Sequence, residues 1–254
     1  VVVAGGDGTL NEAANGLAGT STAMGILPCG TANVLARELG IPRDLPRAWT
    51  LANGAPARPV DLVRAEYRGR EGRPCARRFV QVAGVGLDAL LVRNVEGGAS
   101  KARWGRLGYA LELLRSWRTP LPRITLEIDG SERLEGAFAL FGNGRLYAGP
   151  FEVFHGAAMD DGFLDVRLFL SRSPRHLFAC VRDMLLGVPQ DPARVLSRRT
   201  REVSVEAPSP VPLELDGEYV GEMPGRLRVE PLALKVQAPE PDGEGRTARP
   251  PPGA

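Results

Sequence analysis

At 254 residues, 43% of them hydrophobic, the chain can bury one large core or two modest ones. Its 32 basic and 30 acidic residues leave a net charge of +2, so no overall field recruits nucleic acid. Three scattered cysteines without a CxxC pair argue against a disulfide framework or a zinc site and fit a reducing cytosol, and no run of about 18 apolar residues is present to span a bilayer.

In chain order, Val1 to Ala4 are apolar and largely β-branched and read as a buried strand. Gly5-Gly6-Asp7-Gly8-Thr9 follows as a turn, and Leu10, Ala13, Ala14 and Leu17 then share one face of a helix. A strand, a glycine turn and a helix N-terminus present backbone N–H groups on which a phosphate can sit, and glycines let that backbone approach the anion closely. A second unit of the same kind comes next: a strand over 23–28, the loop Gly30-Thr31-Ala32-Asn33, and a helix over 32–39 stopped by Gly40 and Pro42. Thr31 and Asn33 can cap that helix or turn their side chains to a phosphate. Strand, loop and helix repeated in this way form α/β grammar up to about Pro59.

From Val60 the texture changes. Residues 60–67, 78–83, 123–128, 137–141 and 164–169 read as strands, several alternating with period two, and Asp129-Gly130 and Asp161-Gly162 supply turns. Leu107, Ala110, Leu111, Leu114 and Trp117 make the apolar stripe of one helix, and another runs over about 174–186. Short strands over 203–205, 213–215, 227–230 and 232–236 complete the sheet, and the Pro- and Gly-rich tail over 239–254 should be disordered. The expected fold is a partial α/β nucleotide-binding domain over 1–59 and a mostly antiparallel, β-sandwich-like domain with helices over 60–236. A start four residues before the glycine turn, without methionine, reads as a fragment that has lost earlier strands. His155 and His176 are isolated and read as packed or solvated, and Cys29 reads as a small apolar filler. The Arg- and aromatic-bearing run over 93–118 reads as a helix with a solvated Arg face, or as a surface for anionic lipid.

Gly5-Gly6-Asp7-Gly8-Thr9-Leu10-Asn11-Glu12, followed by Leu27-Pro28-Cys29-Gly30-Thr31-Ala32-Asn33, resembles the diacylglycerol-kinase catalytic-domain family, which includes bacterial lipid kinases and the sphingosine and ceramide kinases. Ala83-Gly84-Val85-Gly86-Leu87-Asp88-Ala89 is similar to a glycine-rich segment of its second domain. Asn143 with Tyr147-Ala148-Gly149-Pro150, then Asp160 to Val166, resembles its mid-domain signature, and Leu215-Asp216-Gly217-Glu218 its late one. The bacterial YegS-like branch is the nearest in pattern.

The resemblance implies an ATP- and Mg²⁺-dependent lipid kinase acting on diacylglycerol or a related lipid alcohol, cytoplasmic and peripheral at the membrane, with no nucleic acid and with homodimer formation left open. Gly5, Gly6, Asp7, Gly8, Thr9, Leu10 and Asn11 would hold the ATP phosphates, with Thr31 adding a contact. Glu218 would be the general base; its plainer reading is an acid beside an exposed Asp-Gly turn. Asp7 would meet the Mg²⁺ of ATP or orient the loop by accepting backbone hydrogen bonds. Asp216 would share the metal or raise the pKa of Glu218. A structural Mg²⁺ would use the Asp161 carboxylate and the carbonyls of Ala158 and Phe163, where the plainer reading is a turn without metal. Val34 stands where many relatives carry an acid. The other readings are an NAD kinase-like enzyme, which shares the Gly-Gly-Asp-Gly loop, and a non-catalytic lipid- or nucleotide-binding module.

Overall fold

The computed structural model describes residues 1–97, 119–185, 187–188 and 190–240. It opens on two strand–loop–helix units, β1 (Val2–Gly5) with α1 (Asp7–Leu17) and β2 (Ala23–Pro28) with α2 (Val34–Glu38). β1 and β2 pair in parallel, Val2 opposite Gly25 through Gly5 opposite Pro28, so both glycine-bearing loops leave the same end of the sheet. α3 (Leu45–Gly54) follows; Asp44 caps it by accepting the Arg47 N–H at 3.1 Å, and Pro46 sits in its first turn. That helix was not read from the sequence, although its cap and proline are a legible start signal.

The remainder is one large sheet, which also takes in β1 and β2, and a separate two-stranded ribbon, and every pairing except β1–β2 and β2–β15 is antiparallel among the described residues. Its elements are β3 (Ala57–Gly69), β4 (Pro74–Phe79), β5 (Val82–Val85), α4 (Leu87–Gly97), β6 (Ile124–Ile128), β7 (Glu132–Gly136), β8 (Phe138–Gly142), β9 (Leu146–Tyr147), β10 (Phe151–Glu152), β11 (Leu164–Phe169), α5 (Pro174–Leu185), β12 (Val195–Thr200), β13 (Glu202–Glu206), β14 (Val211–Leu215) and β15 (Glu218–Gln237). The strand order β12-β11-β8-β5-β14-β15-β13-β6-β7 turns around one core that includes Phe79, Phe141, Leu126, Leu164 and Leu213. A second core, with Leu10, Met24, Ile26, Leu35 and Val60, lies under the parallel unit and takes in Val80, Met159 and Leu234 from the rest of the chain. The two regions are therefore packed together, not merely tethered.

Four expectations change. The strand at 1–4 is an edge, not buried: Val1 and Val2 are exposed, and β1 pairs with β2 alone among the described residues. The division at 59/60 falls inside β3, and the far end of β15 returns to the first unit, pairing Lys235 and Val236 in parallel with Ala23 and Met24. The single strand expected over 78–83 breaks into β4 and β5, because the Val80 and Gln81 N–H groups leave the ladder for the Asp216 carboxylate at 2.8 Å each. The two strands expected over 227–236 are one, bent where Leu232 takes φ 53° and gives its N–H to Asp61. The helix read at 107–117 and the tail beyond 240 lie outside the described residues.

Candidate active site

The two loops at the end of β1 and β2 form one surface. A Cβ on Gly30 would lie 2.5 Å from Gly6 Cα, so the backbones touch in a way that only glycine permits. Asn33, buried and at φ 51°, closes the second loop by accepting the Gly30 N–H at 2.8 Å and donating to the Gly30 carbonyl at 2.7 Å. Its side chain is thus committed to the turn and not free for a ligand. Asp7 supplies the cap that α2 lacks: its Oδ1 accepts the N–H groups of Val34 at 2.7 Å and Leu35 at 3.3 Å. Of the two roles read for Asp7, orienting the loop is therefore visible, and its second oxygen has no hydrogen bond among the described residues. Gly8, Thr9 and Thr31 stand exposed on the open side of the cradle, with the Arg43 guanidinium 2.7 Å from the Thr31 carbonyl.

Asn11, one turn into α1, is buried and reaches the far end of the chain. Its Nδ2 donates to Asp216 Oδ2 at 2.5 Å, and its Oδ1 accepts from Arg77, whose Nη1 lies 2.8 Å from Glu218 Oε2. Asn11, Arg77 and Glu218 thus form a line from the first helix to the first residue of β15, and Glu218 keeps about half of its side chain in solvent at 47% exposure. Asp216 does something else. Its carboxylate accepts from the N–H groups of Val80, Gln81 and Val82 and from Asn11, with every contact at 3.0 Å or less. Burial pushes its pKa up, and those backbone donors pull against the shift. With all its lone pairs so engaged, Asp216 is an anchor that ties the turn at 214–218 to β5 and α1; this corrects the metal-sharing role read for it. Leu10 packs in the core beneath, and its N–H is given to the Gly6 carbonyl at 3.0 Å, so it offers a ligand no donor.

Between α2, α4, β5 and β14 lies a cavity of about 560 Å³, within the usual range of small-molecule sites. Val34, Leu35, Val82, Leu91, Val92 and Leu146 give it an apolar lining, and among the described residues no Lys, Arg or His lines it. Glu38 fixes its rim, accepting the Arg145 and Leu146 N–H groups at 3.0 Å each while pairing with the Arg145 guanidinium at 2.9 Å. At one end stand two acids to which the sequence reading gave no role of their own, Asp88 on α4 and Glu214 on β14. Glu214 is 2% exposed and accepts the Gly217 N–H at 2.7 Å through Oε2. Its other oxygen and Asp88 Oδ2 converge over Gly84, where a Cβ would collide with both. Tyr147 donates its hydroxyl to Asp88 Oδ1.

Burial first, and the nearby Asp88 charge second, hold the Glu214 carboxyl well above the ordinary glutamate range, while burial also raises Asp88. One proton shared between the two satisfies both oxygens better than two charges. The folded state thus holds protons that the unfolded chain releases above the ordinary glutamate value of 4.5, so this contribution to stability is complete below that pH and is lost as pH rises through the raised value. Glu214→Gln, which keeps the bond to Gly217, is expected to gain on the order of 1 kcal/mol over the unsubstituted protein near pH 8 and little near pH 5. Urea midpoints at the two pH values measure this; equal gains at both would contradict it.

The turn expected to bind a structural cation is arranged otherwise. Asp161 Oδ2 lies 2.6 Å from Arg199 Nη2, and its Oδ1 accepts the Phe163 N–H at 3.0 Å. A guanidinium therefore already neutralises the one carboxylate in the set of Ala158, Asp161 and Phe163. No group of three or more His, Cys, Asp or Glu side chains converges among the described residues. In this arrangement the turn does not fit a divalent cation. Its visible work is structural: Gly162 donates at 2.7 Å to Asp61, which also accepts the Leu232 N–H at 2.7 Å. Asp61, fully buried, was likewise missed, though an acid inside an apolar strand is a signal of backbone capping. His176 bonds Ser173 at 2.8 Å and His155 lies 3.6 Å from Glu152, both apart from the cavity lining.

Comparison with known proteins supports a lipid kinase as the class. The family model described as the diacylglycerol kinase catalytic domain matches residues 1–65, and that of the YegS C-terminal NAD kinase beta sandwich-like domain matches 81–238. A protein named diacylglycerol kinase from Mycobacterium tuberculosis is 32% identical over 253 residues, covering 94% of this chain and 76% of its own length. Another of that name from Bacillus subtilis is 32% identical over 89% of this chain and 73% of its own. A crystal structure of a diacylglycerol kinase from Bacillus anthracis shares the fold, with TM-score 0.68 at 21% identity over 94% of this chain and 76% of that one. The chain belongs to the diacylglycerol kinase catalytic-domain family, with the YegS-type β-sandwich as its second part.

Proposed function

We propose that the protein transfers the γ-phosphoryl group of ATP, bound as its Mg²⁺ complex, to the hydroxyl of diacylglycerol or a related lipid alcohol at a membrane surface. The observation that carries this reading is the placement of Glu218 on the side of the glycine loops, joined to α1 through Arg77 and Asn11. The N–H groups of the loop over 5–9 would cradle the phosphates, Thr9 and Thr31 would add hydroxyl contacts, and the free oxygen of Asp7 would face the cation on the nucleotide. Glu218 would take the proton of the lipid hydroxyl as its oxygen attacks the γ-phosphorus and the bond to the bridging oxygen breaks, ADP leaving. Arg77 lies where it can turn from Glu218 to the transferred group, adding positive charge there and freeing the carboxylate. The apolar cavity would take the lipid beside the glycerol hydroxyl.

No helix among the described residues is long and apolar enough to cross a membrane. Access to a bilayer lipid would then be lateral, and α5 holds Phe178 (72% exposed) and Val181 outward, with Arg175 exposed on the same helix. The test is radiolabelled ATP offered with diacylglycerol, sphingosine or NAD to the full natural protein in mixed micelles. Label in a lipid, dependent on added Mg²⁺, is the expected result. Label in NAD, or in nothing, would overturn the assignment.

A further inference from the structure

Asp88 and Glu214 take no part in the proposed transfer, yet they join the wall of the cavity to the turn that presents Glu218. Tyr147, on β9, donates its hydroxyl to Asp88 Oδ1. Asp88, on α4, is hydrogen-bonded to Glu214 on β14, and their facing oxygens, Oδ2 and Oε1, meet over Gly84. Glu214 Oε2 in turn accepts the Gly217 N–H at 2.7 Å, and Gly217 is the residue before Glu218. The outer oxygen of each acid is thus committed, which leaves the inner pair one arrangement, a single proton between them. The turn itself does not need this support. It has the left-handed backbone of a tight hairpin, with φ 49° at Asp216 and 83° at Gly217, and Asp216 is already held by its own four donors. What the pair adds is a sideways connection to elements that line the cavity, since Asp88 shares α4 with Leu91 and Val92 and Tyr147 lines it directly.

We propose that Asp88 and Glu214 are positioning residues that couple the filling of the cavity to the placing of Glu218. Lipid packed against α4 and Tyr147 sets the carboxyl pair, and the pair sets the turn. A displaced base is costly, because an error of about 1 Å can lower a rate about 10²-fold. This rests on reading the cavity as the lipid site and Glu218 as the base of the proposed kinase, and the test separates the two. Amide variants carry it, because an amide has one accepting and one donating end. In Glu214→Gln the oxygen keeps the Gly217 N–H and the NH₂ donates to Asp88. In Asp88→Asn the oxygen keeps Tyr147 and the NH₂ donates to Glu214. Either single variant retains the line. In the double variant both oxygens are committed and NH₂ faces NH₂, so the line is cut with almost no change of volume.

Turnover is measured on the full natural protein with ATP and saturating diacylglycerol in mixed micelles, well below the unfolding midpoint of every variant. Each single variant is expected to keep kcat within about threefold of the parent, and the double to lose about 10- to 100-fold with nucleotide affinity unchanged. A loss in the double no greater than the product of the two single losses overturns the proposal. Gly84→Ala leaves both acids in place but fills the space where they meet, since a Cβ there would overlap Asp88 Oδ2 and lie 2.9 Å from Glu214 Oε1. It is expected to lower kcat to the same extent as the double, and a value within about threefold of the parent overturns the proposal as well. Amide hydrogen exchange gives a reading that needs no turnover. Diacylglycerol in neutral detergent micelles is expected to slow exchange across 214–219 about threefold or more in the parent and in each single variant, and not in the double. No slowing in the parent, or equal slowing in the double, overturns the coupling. Slowing that the double loses, in a protein that phosphorylates no lipid, supports the coupling and removes the kinase assignment. Lipid phosphorylation with merely multiplied single losses removes the coupling and leaves that assignment standing.

Discussion

In a lipid-kinase assay, Glu218→Gln is expected to lower turnover by about 10²- to 10⁴-fold, the usual worth of a positioned base. Glutamine keeps the size of the side chain and can still accept from Arg77, so the line from α1 to β15 is retained and only proton uptake is lost. Nucleotide affinity, read by titration with a fluorescent ATP analogue, should then change little. Undiminished turnover would remove Glu218 from the chemistry. A matching loss of nucleotide binding would show instead that the substitution had disturbed the cradle. Arg77→Met provides the complementary reading, because it frees Glu218 from its partner yet removes the positive charge: slower turnover assigns Arg77 to the phosphoryl group, and faster turnover assigns it to holding the base in check.

Asp216→Ala is expected to cost about 3 kcal/mol of stability or more, measured from denaturant midpoints. The N–H groups of Val80, Gln81 and Val82 and the Asn11 amide would lose their acceptor in the interior, each buried donor left unmet costing about 1–3 kcal/mol. Part of the loss is offset by no longer burying a carboxyl whose pKa is already raised. Asp216→Asn keeps one acceptor oxygen but presents an amide NH₂ to neighbouring N–H groups, so it should fall between the two. An alanine variant within about 1 kcal/mol of the parent would mean that water or a shifted side chain fills the role.

The sequence made the cradle legible because its physics is local. Three glycines after a strand and before a helix mean the same thing wherever the chain goes next, and Gly6 and Gly30 indeed meet. The roles of single acids were not local. Asp7 reads equally well as a metal ligand or a cap until α2 is seen to aim its first amides at it. Asp216 looks like half of a catalytic Asp-Gly-Glu turn, but its four donors come from segments far upstream. Asp88 and Glu214 are unremarkable in isolation and acquire meaning only when α4 and β14 bring them over Gly84. Asp161 misled for the opposite reason: its turn is local, while the arginine that occupies it comes from β12. Alternation gave most strands, but β15 appeared as fragments because a bulge erases the period-two pattern at the point where it matters.

β15 starts at Glu218 and finishes alongside β2, and β3 accompanies it antiparallel from Gly69 opposite Gly221 to Ala57 opposite Gln237. A double ribbon of this kind resists flexing in its own plane but yields readily to torsion. The two lobes should consequently wring about the ribbon axis instead of gaping like jaws, with the irregular stretches at 222–226 and 230–234 as its softest points.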